Sequence, residues 1–206
     1  MVKAAMSVKE LIVVGFDPSM NNWGVSRGII SVDPANLRNS SLRVSGLSVI
    51  NPVKPDSKQV RTNSKDLLAA EQLARGALEA AAGAQAIFVE VPVGSQSARA
   101  MASYGICVGV LGALRAMGIP FFEVTPTEVK MASVGKKTAT KQDMIAWAQA
   151  QHPEAPWPTY KEKGIEYVSE AKAEHMADAT AAIYAGVRTT TFQSLLPMLV
   201  SQLKVA

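Results

Sequence analysis

Leu11-Ile12-Val13-Val14-Gly15-Phe16-Asp17 is an unbroken apolar run that stops on an acid. Residues 10–17 therefore read as a buried strand. A carboxylate at the end of a buried element is costly unless it is paired or binds a metal. The arrangement recurs where Ala86-Ile87-Phe88-Val89 stops on Glu90, and a third acid, Asp178, lies inside the helix-like stretch 174–183. Three such acids on separated apolar segments point to one acidic cluster assembled by the fold. A cluster of that kind would hold a divalent metal and cut phosphodiester bonds.

Working outward, residues 22–32 and 41–51 read as two further strands, with Pro18 to Asn22 making the first turn and 33–40 turn-forming. Three strands joined by short turns suggest an antiparallel meander. Residues 52–63 are a polar loop. Residues 64–82 carry apolar side chains at helical spacing, and 86–91 form a short, wholly apolar strand suited to a central parallel position. Residues 97–117 read as a helix whose Gly105, Gly109 and Gly112 each cost about 1 kcal/mol relative to alanine, so close approach of another element is expected there. Residues 120–124 are a fifth strand, and Thr125-Pro126-Thr127-Glu128 looks like a capped helix start. Residues 139–151, 170–187 and 191–203 are helices; 152–169, rich in proline and charge, reads as an inserted loop, and residues 1–9 as a loose arm. That order gives one α/β domain over 1–206, a five-stranded mixed sheet flanked by helices. The first strand must lie beside the fourth if Asp17 and Glu90 are to meet, and a right-handed crossover through 64–82 allows it.

The chain has 206 residues, of which 48% are hydrophobic, ample for a core. Its single cysteine, Cys107, excludes a disulfide framework and a cysteine-rich zinc site. A reducing cytoplasm fits best, and no uncharged apolar stretch reaches membrane-spanning length. The net charge of +4 permits nucleic acid without demanding it. The distribution says more: Lys130, Lys136, Lys137 and Lys141 fall close together, with no acid between Glu128 and Asp143.

Mg²⁺ and Mn²⁺ prefer oxygen ligands, and two such ions about 4 Å apart can activate water on one side of a phosphodiester and stabilise the leaving oxygen on the other. Three acids meet that need. His175 and Asp178, three apart, share a helix face, so the histidine could ligate metal or shuttle a proton. Gly15 and Gly94 could let substrate backbone approach closely.

With these residues in place, the chain resembles the RuvC-type Holliday junction resolvases of the ribonuclease H-like superfamily, from about Leu11 to Gly186. Gly15-Phe16-Asp17-Pro18-Ser19 followed by Trp23-Gly24-Val25 is similar to the family's opening strands. Ile87-Phe88-Val89-Glu90 is similar to its second acidic strand, and His175-Met176-Ala177-Asp178-Ala179 to its closing helix motif. The stretch from Val124 to Asp143 is similar to its junction-contacting segment. The resemblance implies a ribonuclease H-like fold and a site in which Asp17, Glu90, His175 and Asp178 bind Mg²⁺ or Mn²⁺, two ions per site. It implies that Lys130 and Lys141 contact phosphate near the scissile bond, Lys141 as part of the catalytic set, with Lys136 and Lys137 adding to the DNA-binding surface. It also implies branched DNA, above all the four-way junction, as substrate, and a homodimer packed partly through 97–117. Three departures stand out. Ser19 replaces a glycine, Val93 occupies a region where family members place an aromatic, and 33–63 and 152–169 are longer than in compact bacterial members. That divergence resembles the bacteriophage-encoded branch, and places the chain in a bacterial or phage-infected cytoplasm.

Other readings share some of the pattern. A related nuclease acting on structured RNA has the same acids, and a junction-binding protein without catalysis has the same fold, although all four site residues are present here. An actin-like kinase also opens with an acid after a strand, but needs glycine-rich phosphate loops, and Pro18-Ser19-Met20-Asn21-Asn22 contains no glycine.

Overall fold

The computed structural model describes residues 8–33, 36–56 and 59–203, with backbone only for 36–39 and 165–166. The run that opens the sequence becomes β1 (Lys9–Asp17), in which Leu11, Val13, Val14 and Phe16 are wholly buried. Side chains burying both faces of a strand require a layer on each side of the sheet. β1 pairs antiparallel with β2 (Trp23–Asp33) and parallel with β4 (Ala86–Glu90). β3 (Asn36–Ile50) adds antiparallel to β2, and β5 (Phe122–Val124) adds parallel to β4. The resulting mixed sheet has the order β3-β2-β1-β4-β5. The crossover from β3 to β4 runs through α1 (Thr62–Ala81), which puts the first strand beside the fourth as expected.

One face of the sheet, carrying Val14, Phe16, Trp23, Val25 and Val89, packs against α1 and α2 (Ala98–Ala116). The other face, carrying Leu11, Val13, Ile30, Val32 and Phe88, packs against α5 (Glu170–Gly186) and α6 (Thr190–Gln202). α3 (Pro126–Ala132) and α4 (Lys141–Gln151) close over the far side of α5 through its alanines. The α3 start has the predicted cap: the Glu128 N–H donates to Thr125 Oγ1, and the Thr125 N–H donates to Glu128 Oε2. Thr140 and Asp143 repeat that device at α4.

α5 lies unusually near the sheet. A Cβ on Gly15 would collide with the Ala179 carbonyl, one on Gly24 with the His175 carbonyl, and one on Gly186 with the Phe88 ring. Gly15 thus serves the approach of α5, not of a substrate backbone. Buried Thr180 Oγ1 donates to the Met176 carbonyl and accepts from Ser26 Oγ at 2.9 Å, which pins the same helix to β2. On α2 the expectation of close packing is not met within the chain: Cβ atoms on Gly105, Gly109 and Gly112 would meet nothing within 4 Å.

Two segments differ from their sequence reading. β3 begins at Asn36, inside the stretch read as turn-forming, and its pairing with β2 shifts register at Arg27/Gly28 and Val32/Asp33. β3 is an edge strand, where polar residues that resemble turn chemistry are tolerated. The inserted loop holds a hairpin, β6 (Thr159–Glu162) and β7 (Ile165–Val168). Its two-residue connection, Lys163-Gly164, has φ of 50° and 80°, the left-handed pair that a type I′ turn requires. Prolines and charges around it masked the two short strands. Of the arm at 1–9, residues 1–7 lie outside the described residues. No helix among the described residues is long and apolar enough to cross a membrane.

Candidate metal centre

Parallel pairing of β1 with β4 aligns Phe16 with Val89, so the next residues, Asp17 and Glu90, leave the sheet side by side at one edge. Across the antiparallel pair Asp17 lies opposite Gly24. Because Gly24 has no side chain, the turn of α5 bearing His175 rests directly on it. His175 Nδ1 and Asp17 Oδ2 are then 2.8 Å apart, the two side chains 18% and 16% exposed. Asp178, three residues further along α5, turns to the same side.

Electrostatics show that the acids share one pocket. Burial, followed by the charges of Asp17 and Asp178, pushes the Glu90 carboxyl up to about 8; Lys130 acts in the opposite direction. Burial, then Asp17 and Glu174, pushes Asp178 up to about 7, against the pull of His175 and Lys130. For His175, burial works against the charged ring, but the hydrogen bond and charge of Asp17, with Glu174 and Asp178, outweigh it and hold the imidazole above its ordinary value. Like charges in a half-dry cleft resist ionisation, and a cation relieves them.

The candidate donor set would be three carboxylates and one imidazole, chemistry that suits a hard divalent ion. Among the described residues no three His, Cys, Asp or Glu side chains are drawn tightly enough together to cage one ion. That spacing is compatible with Mg²⁺, which usually takes one or two carboxylates and completes its shell with water and phosphate oxygens. The cleft is open. A cavity of about 850 Å³ lined by His152, Tyr184, Arg188 and Phe192 lies at the other end of α5 and includes none of the acids.

The four lysines divide. Lys130, on α3, is close enough to act on both Glu90 and Asp178. Lys141, at the first position of α4, is ion-paired with Glu174 at 2.7 Å and feels Asp178. Lys136 and Lys137 are exposed in the connection between α3 and α4, and the charge of Lys136 acts on Asp143 instead of the central acids. Val93, beyond the end of β4, is 75% exposed. Glu174 is the residue that sequence reading passed over. Its spacing of four from Asp178 on one helix was the available signal.

The sequence matches no known family model and no curated protein. In three dimensions it is similar to Thermus thermophilus RuvC, with a TM-score of 0.57 and 21% identity over 90% of this chain and 96% of that one. It is likewise similar to T. thermophilus RuvC in complex with a Holliday junction substrate, with a TM-score of 0.56 and 20% identity over 89% and 96% of the two chains. This likeness covers about nine-tenths of the chain, which accordingly has the fold of the RuvC Holliday junction resolvase, the fold its motifs led us to expect.

Proposed function

We propose that this chain is a divalent-metal-dependent endonuclease that cuts four-way DNA junctions, and other branched DNA, by phosphodiester hydrolysis as a homodimer. The observation that carries the proposal is the meeting of Asp17, Glu90, His175 and Asp178 at one sheet edge in a RuvC fold. Asp17, Glu90 and Asp178, with His175 beside them, would hold Mg²⁺ or Mn²⁺. When bound, the ions supply an activated water and charge stabilisation for the leaving oxygen.

The chain's own residues prepare for this. With Glu90 pushed up to about 8 and Asp178 to about 7, a bound cation would displace protons from this pair. His175 fixes the orientation of the Asp17 carboxylate through its 2.8 Å contact, the part an outer partner plays for a metal ligand. Lys130 and Lys141 face the same cleft, where Lys141 can exchange the Glu174 carboxylate for a phosphate oxygen. Lys136 and Lys137 extend the basic surface along the DNA. A four-way junction has two symmetric strands to cut, and a two-fold dimer provides two sites. The open stripe of α2, with Gly105, Gly109 and Gly112 beside Met101 and Val108 (each 46% exposed), supports that arrangement.

The test is cleavage of a labelled four-way junction with Mg²⁺, with Mn²⁺ and with chelator, wild type beside Asp17→Asn. The substitution should lower the rate by more than about 100-fold, beyond what loss of an outer partner of a metal ligand costs, while junction binding persists. Full cleavage by Asp17→Asn, or equal cleavage in chelator, overturns the proposal.

A further inference from the structure

The β6–β7 hairpin is exposed along Thr159–Glu162 and carries two aromatic rings on one face. Tyr160 pairs directly with Tyr167 across the strands. Their rings stack at 28° with centroids 5.7 Å apart, and remain 50% and 42% exposed. A cross-strand aromatic pair steadies a hairpin, but burying one side of each ring does not account for leaving the other in water. Lys163 stands exposed in the turn beyond the rings, while Lys161, next to Tyr160, points to the opposite face of the hairpin.

The hairpin's base is firmly held. Trp157 Nε1 donates to the His152 carbonyl at 2.9 Å, the Ser169 N–H donates to the Pro158 carbonyl at 2.7 Å, and Trp157 and Val168 pack on the core beneath α4 and α5. Ser169 is also the residue from which α5 springs. Six helical residues from Ser169 to His175 span about 9 Å, and two extended residues from Ser169 back to Tyr167 span about 7 Å. The tyrosine pair therefore lies no more than about 16 Å of backbone from His175, some five nucleotide steps at ~3.4 Å each. A nucleic acid strand lying across the acids can reach it within a few nucleotides.

We propose that Tyr160 and Tyr167 form a platform on which nucleobases unstacked at the branch point of the DNA are received, with Lys163 in the adjoining turn on a flanking phosphate. The inference rests on the branched-DNA reading above and adds what recognises the branch. Every base presents a π-face, so stacking on an aromatic ring selects unstacked geometry without reading sequence. In linear duplex the bases are stacked on one another, and the platform has nothing to receive.

The test measures binding of a four-way junction and of a linear duplex of the same length, in chelator, by full-length Asp17→Asn protein. The same background is then combined with the paired substitutions Tyr160→Ala and Tyr167→Ala, or Tyr160→Phe and Tyr167→Phe. The alanine pair should weaken junction binding by about tenfold or more, in line with loss of base stacking, and leave duplex binding unchanged. The phenylalanine pair should restore junction binding, since its rings stack as tyrosine does. Junction preference that survives the alanine pair overturns the platform alone. So does equal weakening for junction and duplex, which marks a purely structural role. If Asp17→Asn protein shows no preference for the junction at all, the branched-DNA reading falls and the platform with it.

Discussion

Glycine occupies opposite circumstances on the two sides of this molecule. At Gly15, Gly24 and Gly186 the missing side chain is where another element sits, and α5 uses that space to bring its backbone onto β1, β2 and β4. At Gly105, Gly109 and Gly112 the missing side chains leave open space along α2. The same residue, equally costly in a helix or strand, is offset in the first case inside the chain. In the second, no such contact is present among the described residues. The crowded side builds the acidic centre; the open side is where the proposed homodimer would place its second copy.

The sharpest way to break this contrast is to fill the crowded side. Gly15→Ala forces a methyl group into the Ala179 carbonyl and should cost more than about 3 kcal/mol, the upper end for overpacking, seen as a lower urea midpoint or loss of folded protein. A Gly15→Ala variant with unchanged stability and full cleavage would mean that α5 is not seated as described.

A smaller effect tests the electrostatic load on that side. Glu90 and Asp178 have folded pKa values above those of the unfolded chain, so between about pH 4 and their folded values of about 8 and about 7 the native state holds the extra protons. Stability must then fall as pH rises through that window, and the raised value of His175 works in the same direction. In chelator the melting temperature should decline between pH 5 and 9. Glu90→Gln should flatten the decline and at pH 8.5 raise the melting temperature by roughly 2–6 °C, on the order of 1–2 kcal/mol, while cleavage is lost. A Glu90→Gln protein that melts no higher than wild type at that pH would show that Glu90 carries no such burden.

The smallest effect belongs to the open side. Gly109→Ala should gain up to about 1 kcal/mol in helix propensity without a clash in its own chain, read from denaturation at low protein concentration. Gly109→Leu should instead leave the chain folded and shift sedimentation from dimer to monomer. A Gly109→Leu protein that remains dimeric would move the interface away from α2.

The sheet was legible because each strand carries a signal that survives in one dimension. Leu11 to Phe16 and Ala86 to Val89 are uninterrupted apolar runs, and each ends on the acid that the topology later joins. The Thr125–Glu128 cap was legible for the same local reason. What escaped depends on partners remote in sequence. Gly15 looks like room for a ligand until Ala179 is laid over it. Glu174 looks like one more helix-surface acid until Lys141 pairs with it. Asn36 to Ser40 read as turn chemistry because nothing in those residues announces an edge strand. The β6–β7 hairpin was hidden since Lys163-Gly164 lacks the Asn-Gly or Asp-Gly signature, although Tyr160 and Tyr167 flank it symmetrically.

The hydrogen bond between Asp17 and His175 bridges 158 positions of sequence. A ribosome therefore delivers β1 and β4 well before α5, and a nascent chain exposes two acids without the histidine and the third acid that complete their surroundings. On the proposed function, cutting power would arise only once synthesis has passed Asp178, and a chain stopped upstream of α5 would carry two acids of an incomplete site.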